Sequence, residues 1–211
     1  TVDPTVVLFI GRLLKTGRVD LHRLVALCGS EVKNPAYVRM NVGEELSTLL
    51  SNSYDSDHHV RIINGNVLTG CPTTKEGFLG AHSSEITVIP VGDNADELAG
   101  WIMPRLGQFS TSRSYFSWLC PKKKYALDAR VKGGERHMIM SGEYDRVLPM
   151  DIYGEFLIKA IIAGDIDRQE QLGIYEVSPE DFALAEFVDS SKLELQRIVR
   201  EGLNILRKEN A

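Results

Sequence analysis

Residues 23–69 read RLVALCGSEVKNPAYVRMNVGEELSTLLSNSYDSDHHVRIINGNVLT. Leu24-Val25-Ala26-Leu27-Cys28 is a short apolar run stopped by Gly29, which predicts a buried strand. Val32 to Pro35 supplies a turn, and Tyr37-Val38-Arg39-Met40 a second strand that closes a hairpin-like unit. Gly43 to Leu50 predicts a short helix with Leu46, Leu49 and Leu50 on one face. Val60-Arg61-Ile62-Ile63 alternates into a third strand that ends at Asn64-Gly65-Asn66. In such a unit the helix crosses one sheet face, because neither element buries its apolar side alone.

The flanks extend this pattern. Glu85 to Val91 (EITVIPV) predicts the closing strand, after a long loop from Cys71 to Ser84. Upstream, Asp3-Pro4 precedes a helix over Thr5 to Lys15, with Val6, Phe9, Ile10, Leu13 and Leu14 as its apolar stripe and Gly17 as its stop. The chain opens on Thr1, and its first 20 residues are expected to be the end of a truncated preceding domain, Rossmann-like in type.

Composition narrows the function. The 211 residues carry a net charge of −5, which gives no electrostatic reason to expect a nucleic-acid partner. The apolar runs Val6 to Ile10 and Leu157 to Ala163 fall far short of the ~20 residues of a membrane span. Cys28, Cys71 and Cys120 lack C-x-x-C spacing, so neither a disulfide framework nor a zinc or iron–sulfur site is expected. Gly65 to Gly70 spaces two glycines as a phosphate loop does, but Cys71-Pro72 stands where Lys and Ser/Thr belong. Asp55, Asp57, His58 and His59 suit a metal, yet adjacent histidines diverge on a strand, and a solvated loop tip is the expectation.

Gly92 to Asp96 marks a boundary, and Glu97 to Met103 predicts a short helix before Pro104. Gly107 to Phe116 is dense in Ser, Thr and Arg, which suits an irregular strand better than an anion site. Lys122, Lys123 and Lys124 form a basic run beside Tyr115, Phe116 and Trp118. These six residues are the candidate docking surface for a protein partner. Tyr125 to Val131 and Arg136 to Met140 are expected to pair as strands around Gly133-Gly134.

From Leu148 the period becomes helical. A helix is expected from Pro149, with Ile152, Phe156, Leu157, Ala160, Ile161 and Ala163 apolar and Gly164 as its stop. Asp167 to Leu172 follows, closed by Gly173. Ser178-Pro179-Glu180-Asp181 is a start signal for a helix over Phe182 to Val188. Leu193 to Lys208 is the last helix, with Leu195, Ile198, Val199, Gly202, Leu203 and Leu206 on one face.

The spacing of Gly29, Val32, Pro35, Tyr37, Gly43, Leu46, Leu49, Leu50, Gly65 and Gly70 resembles the soluble-ligand-binding β-grasp domains. Such domains occur in polysaccharide exporters, vitamin-B12 carriers and large NADH-oxidising complexes. The order of β-grasp, connector and short helices resembles subunits of those complexes whose helical tail is an α-helical ferredoxin. Here Leu148-Pro149 stands where a Cys-Pro would be, and Ala185 to Asp189 occupies the C-x-x-x-C segment, so the thiolate ligands of a cluster are missing. The resemblance is most specific in FIGRLLKTGRVDLHRLVALCGSEVKNP (9–35), INGNVLTG (63–70), GWIMPRLGQFSTSRSYFSWL (100–119) with PKK (121–123), GEYDRVLPMDI (142–152) and IIAGDIDRQEQLG (161–173). These stretches resemble the A subunits of Na⁺-translocating NADH:quinone oxidoreductases, over nearly the whole chain.

The resemblance implies an α+β chain. Residues 21–94 would form the β-grasp, 95–146 a β-containing connector, and 147–211 a ferredoxin-like helical domain without its cluster. It implies a peripheral, cofactor-free, cytoplasmic-side subunit of a bacterial inner-membrane pump. The pump oxidises NADH, reduces ubiquinone and exports Na⁺, using flavins and iron–sulfur centres elsewhere. Its partners would be the integral membrane subunits, with ubiquinone as a further contact, and no catalytic, cofactor or metal residue is expected in this chain. Two other readings stand beside it. One is a β-grasp module for a quinone, cobalamin-like compound or glycan, with Gly65 to Gly80 as its rim. The other is an enzyme using Glu143, Asp145 and Asp151 as acid and base, although carboxylates near a helix start more often offset its dipole.

Overall fold

The computed structural model describes residues 2–55, 59–93, 102, 104–110, 113, 115–120 and 122–209. The chain divides into two compact units, Thr1–Arg130 and Val131–Ala211. The architecture is mixed α+β.

The first unit opens with α1 (Pro4–Thr16), capped by Asp3, whose carboxylate accepts the Thr5 N–H at 2.6 Å. Five strands follow: β1 (His22–Cys28), β2 (Ala36–Asn41), β3 (Val60–Asn64), β4 (Cys71–Thr73) and β5 (Glu85–Pro90). They form one sheet in the order β2-β1-β5-β3-β4. β1 runs antiparallel to β2, with Val25 opposite Val38, and parallel to β5, with Leu27 opposite Ile86. β5, the last strand in the chain, lies in the centre, and β3 is antiparallel to it.

Val25, Leu27, Met40, Ile62, Ile86 and Val88 turn to one core with Val32, Leu46, Leu50 and Leu79. Each such side chain contributes about 1.5–3 kcal/mol on burial. Gly29 leaves β1 at φ +119°, and a Cβ there would collide with the Val88 carbonyl oxygen. Only glycine lets the two backbones approach so closely.

Four expectations need correction in this unit and at its border. β1 is not buried on both faces: Leu24 keeps 62% of its surface, while Arg23 on the core side keeps 6%. The period of two that buries Val25 and Leu27 also carries Arg23 inward. Its guanidinium donates to the Ala81 carbonyl at 2.8 Å, and its Nε has no partner among the described residues. The expected helix from Gly43 shrinks to α2 (Ser47–Leu50). The backbone before it pairs elsewhere: Leu46 N–H donates to Gly77, Gly43 N–H to Leu79, and Leu79 N–H to Glu44. The expected loop from Cys71 contains β4, where Pro72 is tolerated because β4 is an edge strand.

The fourth correction concerns the hairpin expected across Gly133-Gly134. Neither Tyr125 to Val131 nor Arg136 to Met140 is a strand. Their backbone groups bond elsewhere: Ala129 N–H donates to Pro90, and Arg136 N–H to Ser191. The expected helix Glu97 to Met103 lies outside the described residues apart from Ile102.

The second unit packs α3 (Gly154–Ala163), α4 (Ile166–Gln171), α5 (Ala183–Val188) and α6 (Leu195–Glu209). Its core holds Tyr144, Leu157, Ile158, Ile174, Phe182, Ala185, Leu195, Val199 and Leu206. α3 starts later than Pro149, because residues 144–153 fold back on its first turn; a Cβ on Gly154 would collide with Leu148 Cδ1. Gly164 ends it at φ +69°. At Ser178 the expected cap forms, with the Asp181 carboxylate accepting the Ser178 N–H and hydroxyl, each at 2.8 Å.

Candidate docking surface

Residues 104–130 of the first unit bring rings and cations together. Phe116–Leu119 is a 3-10 turn entered by an extended Tyr115. The turn buries Ser117, which leaves Phe116, Trp118 and Leu119 exposed. Cys120 N–H donates to Ser117, and Lys123 N–H to Cys120, so the aromatic turn runs directly into the basic run.

Cations alternate with the rings. The Arg105 guanidinium lies 5.6 Å from the Tyr115 ring centre, and that of Arg113 lies 5.8 Å from Trp118. Lys123 Nζ is 5.9 Å from the Tyr125 ring and donates to the Leu106 carbonyl at 2.8 Å. Tyr125 in turn packs edge-on against Phe109 at 5.5 Å, and its hydroxyl donates to the Ser117 carbonyl. Lys122, Lys123 and Lys124 are exposed, and Tyr115 is half-buried. The six residues named from the sequence therefore sit in one stretch. Arg105 and Tyr125, which hold it together, went unnamed, since the contacts of Arg105 with Tyr115 and of Tyr125 with Phe109, ten and sixteen residues apart, leave no periodic signal. Aromatic and arginine side chains of this kind dominate protein interfaces, and cation–ring pairing holds them in place.

The other candidates resolve differently. Asn66 organises the Gly65 to Gly70 turn by accepting the Leu68 and Thr69 N–H groups at 2.8 Å. A Cβ on Gly70 would meet the Asn66 carbonyl at 2.5 Å, so that glycine serves close packing. His59 pairs with Asp93 at 2.7 Å on the surface; Asp57 and His58 lie outside the described residues. Among the described residues no three His, Cys, Asp or Glu side chains come together as a metal site. Cys28, Cys71 and Cys120 are free thiols. Glu143 is engaged with Arg146 at 3.0 Å, and Asp145 and Asp151 are exposed.

Two carboxylates are buried in the second unit. Glu155 accepts the N–H groups of Ser141 and Gly142, and Asp189 those of Ser191 and Leu193. Tyr144 lies beside them, its hydroxyl short of hydrogen-bond geometry with any described residue. Burial first, then the negative charges of Asp189 and Glu155, push its phenol far above the usual tyrosine range.

These features belong to a mixed α+β chain with an exposed stretch of rings and cations. Residues 24–75 match the family model of the NQRA C-terminal domain. The A subunit of the Na⁺-translocating NADH-quinone reductase of Rhodopirellula baltica is 35% identical over 204 residues, covering 96% of this chain and 44% of the relative. The protein of the same name from Pasteurella multocida is 37% identical over 204 residues, covering 96% and 45%. That from Neisseria meningitidis serogroup B is 35% identical over 211 residues, covering 99% and 46%. The chain is similar to these A subunits along nearly its whole length and spans about half the length of the relatives it matches.

Proposed function

We propose that the chain acts within a respiratory Na⁺-translocating NADH:ubiquinone reductase, as a peripheral subunit portion on the cytoplasmic side of the bacterial inner membrane. The observation that carries this is similarity to the A subunits along 96% of the chain. The whole complex would oxidise NADH, reduce ubiquinone and export Na⁺. This portion docks on the integral membrane subunits through Tyr115, Phe116, Trp118 and Lys122 to Lys124, with ubiquinone as a further contact in the assembled complex. Among the described residues no helix is long and apolar enough to cross a membrane.

The finer fold reading divides the chain at residues 20, 94 and 146. Residues 1–20 are the end of a preceding domain, and 21–94 form a β-grasp. Residues 95–146 form the connector, and 147–211 a ferredoxin-like helical domain emptied of its cluster. The β-grasp is supported by a sheet whose first and last strands lie parallel in its centre. The loss of the cluster is supported by what occupies the ligand positions. Ala185 is fully buried, Leu148 packs on the core, and Asp189 is engaged with two backbone N–H groups.

Charge reversal of Lys122, Lys123 and Lys124 tests the docking. Co-purification with the integral subunits is expected to fall, and unchanged co-purification overturns the assignment. Anaerobically purified protein is expected to be folded with no iron, acid-labile sulfide or flavin; iron–sulfur absorbance would overturn the emptied-domain reading.

A further inference from the structure

Helix α1 has an apolar face that the described residues cover only along its Val6 and Phe9 edge, where both side chains are half-buried. At 100° per residue, Val6, Val7, Phe9, Ile10, Leu13 and Leu14 fall within an arc of roughly 160°. No residue of α1 is buried. Leu14 keeps 82% of its surface, Val7 56%, Ile10 48% and Leu13 42%. Val2, Val19 and Leu21, close by in sequence, are exposed as well.

The helix is nonetheless held in place by its polar edge. Arg12 donates to the His22 carbonyl at 2.6 Å and lies 3.8 Å from Asp20, and Asp20 also holds His22 at 2.8 Å. The Thr5 hydrogen bonds, chiefly, and more weakly the charge of Arg23 hold the Asp3 cap below the usual carboxylate range. α1 is thus fixed to the start of β1 with its greasy side outward.

The chemistry of the helix distinguishes what can cover that side. A helix that lies on a membrane carries a strongly charged polar face. α1 has only Arg12 and Lys15 as charged residues, and Arg12 is already tied to the sheet unit. The chain as a whole is acidic, at −5, which disfavours an anionic surface. A helix this apolar, with so few charges, has the composition of a core element. More than half of each matched relative lies outside the span this chain covers.

We propose that the apolar face of α1 is an intramolecular docking surface, covered by an apolar face of the polypeptide that the relatives carry outside the matched span. The inference rests on the likeness to the A subunits and on the preceding-domain reading, not on docking to the pump. Val7, Ile10, Leu13 and Leu14 are the seam, and the half-buried Val6 and Phe9 its margin.

The test uses the 211-residue chain and a chimaera in which it replaces the matched span of the Rhodopirellula baltica protein. Hydrogen exchange of the α1 amides is expected to slow at least about tenfold in the chimaera. The pair Ile10→Ser and Leu14→Ser is expected to lower the Tm of the chimaera and to leave that of the 211-residue chain unchanged. Equal exchange in both proteins overturns the proposal. So does sedimentation of the chain with vesicles of anionic phospholipid that the serine pair abolishes, which would make α1 a membrane-surface helix. A dimer of the 211-residue chain that persists in the chimaera and that the serine pair dissolves assigns the face to a second copy and equally overturns it. No pump partner enters any of these measurements, so their failure leaves the docking assignment standing, and the reverse.

Discussion

Two helices of this chain share one sequence pattern and have opposite surroundings. α6 carries Leu195, Val199, Gly202 and Leu206 on one face, and all four are buried. α1 carries Val6, Ile10 and Leu13 at the same spacing as the first three, with Leu14 beside them, and none is buried. Periodicity therefore reports that a face must be covered, not what covers it. In α6 the cover is local: a Cβ on Gly202 would lie 2.9 Å from Ile161 Cγ2, which shows how closely α3 approaches.

Substitutions can break that comparison. Leu206→Ala in α6 is expected to cost about 2–5 kcal/mol, read by urea unfolding, since the cavity has packed walls on all sides. Gly202→Val is expected to cost about 1–3 kcal/mol by overpacking against Ile161 and Ile174. The alkaline limb is the next sharpest. Unfolded tyrosine ionises near pH ~10. Folded Tyr144 keeps its proton well above that, so the unfolded state binds fewer protons and stability falls as pH rises beyond this point. Tyr144→Phe is expected to remove that Tyr144-dependent loss, measured as the Tm difference between neutral and alkaline buffer. Smallest of all, Ile10→Ala in α1 of the 211-residue chain is expected to change stability by less than about 0.5 kcal/mol. A loss of several kcal/mol there would mean that α1 is packed within this chain after all.

Legibility followed locality. Strands β1, β2, β3 and β5 were readable because their alternation and their glycine or proline stops are written in adjacent residues. So were α6, the Ser178 cap and the glycine stops at Gly17 and Gly164. What escaped was set by distant partners. The residues 43–46 looked helical, but their backbone pairs with residues 77–79. Pro72 argued against a strand, and only the position of β4 at an edge admits it. The hairpin over Gly133-Gly134 had suitable turn residues, yet its two arms bond to Pro90 and Ser191. Of the candidate surface, the ring and lysine stretch was visible, whereas the pairing of Arg105 with Tyr115 and of Phe109 with Tyr125 was not.

The central position of β5 has a consequence for synthesis on the ribosome. β1 pairs with β5 through Ala26 and Glu85, so the sheet has no middle until residues 85–90 have left the exit tunnel. Until then the nascent chain has only the β1–β2 and β3–β4 hairpins, each marginal alone, and must hold its apolar residues without a completed core. The α3–α6 unit closes over shorter separations and has no such wait. A nascent chain arrested before Glu85 has emerged should remain protease-sensitive across β1 to β3, and gain protection abruptly once Pro90 is outside.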